Sequence, residues 1–310
     1  MPRGLLVTMA VEFGIHLGLN AVGDRAPDRL AYFRQCLGIG DGALKALWLS
    51  DHLQEGDAPV FEAWTTLSYL AALAPSYRVG NMVLGQSYRN PALLAKMAAT
   101  LQALSGGRLV LGIGAGWQED EYLAYDYPFP RAGERIEQLS EAVDLIRTMW
   151  TSAPASYAGK HYVVRDAYCE PRPSPPPPIL IGGQGPKLMR VAAAKADAWV
   201  WDGPLEIYQP PYQRLVDNCE QIGRPHSEIK LVAEFDAYFP ADRADFPEPH
   251  PSGYLDFMTS PLGPTPAHAR AEIMRLVEIG VEEFCVYFYD LTTLRHFVEE
   301  VVPHISCADR

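Results

Sequence analysis

The chain has 310 residues, of which 48% are hydrophobic and 21% charged, and this composition suits a globular protein with one large core. Its formal net charge of −12 argues against a nucleic-acid partner, because phosphate binding needs a surplus of Lys and Arg on one face. No apolar run approaches the roughly 18 residues of a membrane span. The five cysteines have no C-x-x-C spacing, which indicates reduced thiols in a cytoplasmic protein without membrane contact.

Short apolar segments alternate along the chain with longer segments of helical periodicity. In chain order the predicted strands are 11–17, 44–50, 78–84, 109–113, 179–181, 198–201, 229–235 and 284–289. The predicted helices that follow them are 26–37, 60–73, 90–104, 133–150, 187–195, 206–221, 267–279 and 294–301. Pro27 and Pro91 lie near helix starts, and Gly38 and Gly280 follow helix ends, as expected for these two residue types.

Eight strand–helix units are the number found in a (β/α)8 TIM barrel, an α/β fold that fills about 250 residues plus insertions. We therefore predict a single domain, 1–310, with proline-rich insertions after strands four and seven, at about 151–178 and 237–266. Short apolar runs are ambiguous by periodicity alone, so an open doubly wound sheet stays an alternative.

Residues that follow the strands of a barrel are the candidates for its active site, because the site lies where the carboxyl ends of the strands open into loops. Asp51 and His52 directly follow predicted strand two. An imidazole there can give or accept a proton near neutral pH, and Asp51 can orient it or hydrogen-bond a ligand. Alternatively, Asp51 caps the loop and His52 lies at the surface. His16 ends strand one, where a lone histidine is more often a pocket-wall residue.

A glycine-rich turn, G-I-G-A-G-W at 112–117, follows predicted strand four and permits a ligand to lie against the main chain. A dinucleotide-binding fingerprint is disfavoured, because no helix is expected before about Gly133. The acidic run Glu119–Glu121 is predicted to be solvated loop rather than a metal site. A second turn, Gly182–Gly185, suits either a phosphate at the start of the next helix or an ordinary strand–helix junction.

Five sequence blocks carry a resemblance to a known family. They are L-W-L-S-D-H-L at 47–53, P-V-F-E-A-W-T-T-L-S at 59–68, Y-R-N-P-A-L-L-A-K at 88–96, S-G-G-R-L-V-L-G-I-G-A-G-W at 105–117 and I-L-I-G-G-Q-G-P at 179–186. In this order and spacing they resemble the bacterial luciferase-like flavin family, and more narrowly its branch that depends on the deazaflavin coenzyme F420. The similarity covers roughly residues 11–200.

The resemblance implies a deazaflavin lying across the strand ends, with His52 as acid/base near its reactive carbon. It also implies a non-proline cis peptide at Met82–Val83 behind the ring, glycine turns around the phosphate-bearing tail, and a lid within 240–266. The cofactor-binding residues expected from it are Asp51, Met82, Val83, Gly85, Gly114, Ala115, Gly116, Gly183, Gln184 and Gly185.

The chain departs from the related sugar-phosphate dehydrogenases at three places. It has Trp117 where they have a glutamate, Gly56 where they have a tryptophan, and Trp201-Asp202 where they have a basic residue. A phosphosugar substrate is therefore not expected. Aromatic faces favour flat apolar groups, so we expect an uncharged, partly apolar or planar substrate in contact with His16, Trp117 and Trp201.

The resulting prediction is an F420-dependent oxidoreductase that transfers a hydride between the deazaflavin and an uncharged small organic molecule. Two alternatives stay open. One is a monooxygenase of the same superfamily that depends on flavin mononucleotide (FMN) and activates dioxygen. The other is a non-catalytic flavin-binding barrel. The resemblance further suggests a homodimer.

Overall fold

The computed structural model describes residues 11–19, 28–240 and 262–305, and eight parallel strand positions in this part of the chain form a closed barrel. Neighbours pair in parallel around the ring, and closure comes from the pairing of the first barrel strand with the last and of the third with the fourth. The barrel strands are β1 (Glu12–His16), β2 (Ala46–Leu49), β3 (Arg78–Asn81) continued by β4 (Leu84–Gly85), β5 (Leu109–Gly114), β8 (Ile179–Gly182), β9 (Ala198–Asp202), β10 (Lys230–Ala237) and β11 (Glu283–Phe288). The (β/α)8 prediction is confirmed, and the open sheet is wrong.

Helices cover the outside of the barrel. They are α1 (Arg29–Gly40), α2 (Ala63–Leu73), α3 (Pro91–Leu104), α4 (Glu119–Ala124), α5 (Ala132–Thr151), α6 (Pro186–Lys195), α7 (Leu205–Ile222), α8 (Pro266–Glu278) and α9 (Leu291–His296). Asn90 caps α3 as predicted, because its side chain accepts hydrogen bonds from the N–H groups of Ala92 and Leu93. Among the described residues, no helix combines the length and the apolar character that crossing a membrane requires.

Three local predictions are wrong. Helix α1 continues past Gly38 to Gly40, which packs so closely on Leu44 and Tyr77 that an added Cβ would lie 2.8 Å from Leu44 Cδ1. Predicted strand three is split into β3 and β4 at Met82–Val83. The first predicted insertion contains an antiparallel hairpin, β6 (Ala155–Ala158) and β7 (Val163–Ala167), whose strands are too short to show a pattern beside the prolines. The start predicted for α1 at Ala26 and Pro27, and most of the second insertion, lie outside the described residues.

The interior of the barrel is apolar at mid-height. Side chains of a strand point alternately inward and toward the helices. Those that meet in the interior are Ala46, Trp48, Met82, Val110, Leu180, Ala198, Val200, Val232 and Cys285. Continuing the alternation by two residues brings Asp202 after Val200, and Glu234 after Val232, into the interior at the carboxyl ends of β9 and β10.

The opposite end of the barrel is closed by an ion-pair network. Buried Glu283 accepts from Arg78 at 2.8 Å and from Lys230 at 2.7 Å, and Trp48 donates its indole N–H to the same carboxylate. Ion pairs that satisfy a buried carboxylate in this way stabilise the amino-terminal end. The interior is therefore accessible at the carboxyl ends of the strands.

The glycines of β5 make room for the protein itself. A Cβ on Gly112 would lie 1.7 Å from the carbonyl oxygen of Asn81, and one on Gly114 would lie 2.7 Å from Val83 Cγ2. At Gly116, where φ is +74°, it would lie 1.9 Å from Tyr122 Oη. The interpretation that these glycines leave space for a ligand is thus wrong beside each Cα, because Asn81, Val83 and Tyr122 fill that space.

Candidate active site

A cavity of about 460 Å³ lies at the carboxyl ends of the barrel strands. Its size is typical of sites that bind cofactors or small molecules. The structure brings together around it every site residue predicted from the sequence except Gly185. These residues are His16, Asp51, His52, Met82, Val83, Gly85, Gly114, Ala115, Gly116, Trp117, Gly183, Gln184 and Trp201. Gly185 lies next to them as the N-cap of α6.

His52 is buried in the wall of this cavity and is held by a carboxylate that the sequence analysis missed. Its Nδ1 lies 2.5 Å from Oε1 of Glu121, which is fully buried. The other carboxylate oxygen, Oε2, accepts hydrogen bonds from the N–H of Leu53 at 2.8 Å and from the hydroxyl of Tyr88 at 3.1 Å. Both oxygens of Glu121 are thus engaged, and the imidazole has a fixed orientation. The alternative of a surface histidine is wrong.

Glu121 lies on α4, in the run that was predicted to be solvated loop. That prediction is wrong: the three acidic residues form the first turn of a helix, where the helix dipole favours negative charge. Glu119 and Asp120 are exposed, whereas Glu121 points inward. The available signal was the sequence E-D-E-Y-L itself, in which acidic residues precede apolar ones as they do at helix starts.

The pKa of His52 is raised. Burial acts against the charged imidazolium, but the hydrogen bond from Glu121 and its negative charge outweigh burial, and Glu55 and Asp51 add to the effect. Because Glu121 engages Nδ1, Nε2 is the atom through which His52 exchanges a proton with a ligand. A histidine with a raised pKa, held by a carboxylate beside a cavity, is suited to general acid/base chemistry.

Asp51 lines the cavity, but its carboxylate is engaged with the protein. Arg89 donates to it through Nη1 at 2.8 Å and Nη2 at 3.0 Å, and the N–H of Gly85 donates to Oδ2 at 2.9 Å. Arg89 also binds Glu62, the N-cap of α2. This bidentate pair fixes the end of β2 against β4. Asp51 therefore positions the segment that carries His52, and neither of its oxygens lacks a donor.

The peptide bond between Met82 and Val83 is cis, as the resemblance implied. It separates β3 from β4 and directs Val83 into the cavity wall. The Val83 side chain lies against two glycines, since a Cβ on Gly114 or Gly182 would come within 2.7 Å or 3.0 Å of its methyl groups. Glycines on β5 and β8 thus allow Val83 to form a raised apolar platform.

The second glycine turn leads into α6. Gly183 has φ +125°, a conformation that other residues rarely adopt, and Gly185 is an N-cap without a side-chain hydrogen bond. The first-turn N–H groups of this ten-residue helix therefore have no side-chain cap. Such a helix start can hold a phosphate group of a cofactor.

A second histidine–glutamate pair lies on another side of the cavity. Nδ1 of His16, at the end of β1, lies 2.6 Å from Oε1 of Glu234 on β10. Asp202 on β9 is the register neighbour of Glu234 and also lines the cavity. Burial raises the pKa of Asp202 to about 6, and the charge of Glu234 adds to the shift. Donor atoms of His16, Glu234 and Cys285 lie within 4.8 Å of one another, but a metal could use the first two only by breaking their hydrogen bond.

The two predicted tryptophans occupy different positions. Trp117 is half exposed at the rim, with its ring 6.0 Å from that of His52 in an edge-to-face arrangement. Trp201 is partly buried at the end of β9, and its Nε1 is buried without a hydrogen-bond partner. Both present aromatic surface to a ligand in the cavity.

Comparisons with known proteins agree with this geometry. An F420-dependent glucose-6-phosphate dehydrogenase of Kineococcus radiotolerans is 32% identical over 74% of this chain and 70% of its own length. Two solved structures share the fold. An F420-dependent secondary alcohol dehydrogenase with an F420–acetone adduct has a TM-score of 0.78, 18% identity and coverage of 94% of this chain and 98% of its own. A monooxygenase from Streptomyces bottropensis has a TM-score of 0.77, 20% identity and coverage of 95% and 99%.

The sequence profile described as luciferase-like monooxygenase matches residues 20–282, which is most of the barrel. The profile and the Kineococcus radiotolerans relative each cover enough of the chain to establish the family. The sequence blocks, the closed barrel and the cavity at its carboxyl end lead to the same assignment: the chain belongs to the luciferase-like monooxygenase family.

Proposed function

We propose that this protein is an oxidoreductase that uses coenzyme F420 and transfers a hydride between the deazaflavin and an organic substrate without an anionic group. The observation that carries the proposal is the buried His52–Glu121 pair in the wall of a cofactor-sized cavity. F420-dependent dehydrogenases among the curated relatives support the choice of cofactor.

The residues of the cavity fit a flat ring with a phosphate-bearing tail. Val83 forms an apolar platform for one ring face, and Met82 and Ala115 extend that wall. The uncapped start of α6, next to Gly183 and Gln184, suits the phosphate. When bound, a deazaflavin supplies two-electron hydride chemistry, while the protein supplies orientation and electrostatics.

His52 has the acid/base role in this proposal. Glu121 holds Nδ1, so the proton that accompanies the hydride is given or taken at Nε2. Tyr88 and the N–H of Leu53 keep Glu121 in place without competing for the imidazole, because they bind the other carboxylate oxygen. Trp117 stands beside the His52 ring and shields it from bulk water.

The absence of a counter-charge excludes anionic substrates. In the described part of the chain, the residues that line the cavity include no Lys or Arg, whereas Asp202 and Glu234 line it. A phosphate group in that position would face like charges, which is unfavourable at short range. This agrees with the sequence departures at Trp117 and at Trp201-Asp202.

Parallel titration of the purified chain with F420 and with FMN, followed by absorption spectroscopy, tests the cofactor. We expect saturable F420 binding and much weaker FMN binding. Turnover with alcohol, ketone and imine panels is then measured with an oxygen electrode in the cell. Tight FMN binding together with oxygen consumption would instead support an FMN-dependent monooxygenase, and binding of either cofactor without turnover of any panel would support a non-catalytic barrel.

A further inference from the structure

The wall formed by His16, Asp202 and Glu234, here called the acidic wall, is not used by the proposed proton transfer. Its three residues come from β1, β9 and β10 and line the same cavity as His52. Asp236 lies behind them on β10, buried, and its pKa is raised to about 8 by burial and by the charges of Glu234 and Asp202. Asp236 is therefore neutral at pH 7, and the charge of the wall rests on the other two carboxylates.

The acidic wall has no cationic partner from Lys or Arg. None of the ion pairs among the described residues joins either carboxylate to Lys or Arg, and the only such contact of Glu234 is with His16. Even a protonated His16 leaves one negative charge, because a pKa of about 6 keeps Asp202 ionised at neutral pH. Uncompensated charge next to a cavity is costly unless a ligand satisfies it.

A second observation points to a ligand at the same place. His16 is 7% exposed and lines the cavity, but its Nε2 is buried without a hydrogen-bond partner. Buried polar atoms are almost always hydrogen-bonded in native proteins. With Nδ1–H donated to Glu234, Nε2 is an acceptor, so the wall presents an imidazole nitrogen and two carboxylates to the cavity. Only a group rich in donors satisfies all three.

We propose that the acidic wall is a subsite for a protonated amine, and that it binds the ammonium group of the substrate. An ammonium has three donors and one positive charge, which match the acceptors of His16, Asp202 and Glu234. Trp201, at the end of the same strand as Asp202, adds an aromatic surface next to the cation. The proposal narrows the expectation of an uncharged substrate: negative charge is excluded, and positive charge is favoured. It rests on the proposed function only in identifying the amine-bearing molecule as the substrate.

Three probes of nearly equal size test the subsite: benzylamine, benzyl alcohol and benzoate. Their binding to the F420-saturated protein is measured by isothermal titration calorimetry at pH 7. We expect benzylamine to bind about tenfold or more tighter than benzyl alcohol, because hydrogen bonds to charged groups are stronger than neutral ones. Benzoate is expected to bind weakest. Equal affinities for benzylamine and benzyl alcohol, or undetectable binding of benzylamine, would overturn the proposal.

Two variants locate the preference. Asp202→Asn and Glu234→Gln keep the size of each side chain but remove its charge, and each is expected to reduce the benzylamine preference about tenfold while benzyl alcohol affinity changes little. Asp217→Asn, on the exposed face of α7, is the matched control and retains the preference. A preference that survives in both wall variants would place the amine elsewhere. Should a variant fail to fold, the comparison of probes on the unmodified protein still decides.

The same calorimetry without cofactor separates this proposal from the proposed function. An amine preference in a protein that does not bind F420 would overturn the proposed cofactor and leave the subsite standing. F420 binding without any amine preference would do the reverse.

Discussion

Two histidine–glutamate pairs face one cavity, and their surroundings differ. Glu121 accepts from His52, Leu53 and Tyr88, so all of its bonding capacity toward the protein is used. Glu234 accepts from His16 but stands beside a second carboxylate, Asp202, with which it shares no cation. The first pair is electrostatically complete, and the second is not.

The difference shows how one pair of residue types can serve two purposes. A proton-transfer group needs a fixed orientation and a tuned pKa, both of which Glu121 and its donors give to His52. A binding wall needs unsatisfied acceptors that a ligand completes, as at His16 and its neighbours. The scaffold differs accordingly, since the His52 region is further fixed by the Asp51–Arg89 pair and by close packing around Val83.

The largest expected effect comes from removing the imidazole of the first pair. His52→Gln keeps a donor for Glu121 but cannot exchange a proton, so we expect kcat to fall about a thousandfold while F420 affinity changes little. His16→Gln is expected to act mainly on KM, with a much smaller loss of kcat. Steady-state kinetics with F420 reduction followed by absorbance measures both.

The control for this comparison is His226→Gln, a change in an exposed histidine outside the cavity, which we expect to retain full turnover. An equal loss of kcat in the His52 and His16 variants would show that the two pairs do not have separate roles. Unchanged kcat in His52→Gln would remove its acid/base role.

The second effect tests the scaffold of the His52 region. Asp51→Asn breaks a buried bidentate ion pair and leaves Arg89 partly unpaired, so we expect a loss of about 3 kcal/mol in the free energy of unfolding. Asp197→Asn, in a half-exposed pair with Arg147, is expected to cost about 1 kcal/mol or less. Urea denaturation followed by circular dichroism compares them. Losses of equal size would show that the Asp51–Arg89 pair does not fix this region.

A third and smaller effect concerns the glycines beside Val83. In Gly112→Ala the added methyl group would meet the carbonyl oxygen of Asn81, which is backbone and cannot move aside, so we expect a loss of about 2 kcal/mol. Gly185→Ala meets no atom within 4 Å and is the matched control. Thermal unfolding of the two variants tests the comparison, and equal stability would contradict the close packing of β5 on β3.

Much of the His52 region could be predicted from the sequence, because its features are local. Asp51 and His52 follow a strand of four apolar residues, and the eight-unit rhythm gives the end at which such residues gather. The position of the cis peptide came from the resemblance and is confirmed. Local pattern therefore identified the cavity and most of its lining.

The partners of the two histidines could not be predicted in the same way. Glu121 is separated from His52 by 69 positions and Glu234 from His16 by 218, so only the closed barrel brings them together. Glu121 was assigned to a loop because α4 is six residues long, too short for helical periodicity to show. Glu234 lies inside a predicted strand, where an acidic residue reads as a solvent-facing position until the barrel interior is defined.

The smallest effect is a pH shift that depends on Glu121 alone. Because Glu121 raises the pKa of His52, Glu121→Gln is expected to lower it and to move the corresponding limb of the kcat profile to more acidic pH, with a loss of about tenfold in kcat. The folded-state pKa of His52 lies above its unfolded value of about 6.5, so its stabilising contribution is fully present below that pH. The contribution declines as the pH rises through the folded-state pKa.

The stability of the unmodified protein relative to His52→Gln is therefore expected to be greatest in acid and to decrease toward alkaline pH. Urea denaturation of both proteins at a series of pH values measures this difference. Glu234→Gln changes the other pair and is expected to leave the His52 limb near its original pH, because no contact joins Glu234 to His52 or to Glu121. A shift of that limb in Glu234→Gln as large as in Glu121→Gln would show that the two pairs titrate as one coupled system, and the separation of catalytic and binding walls would then fail.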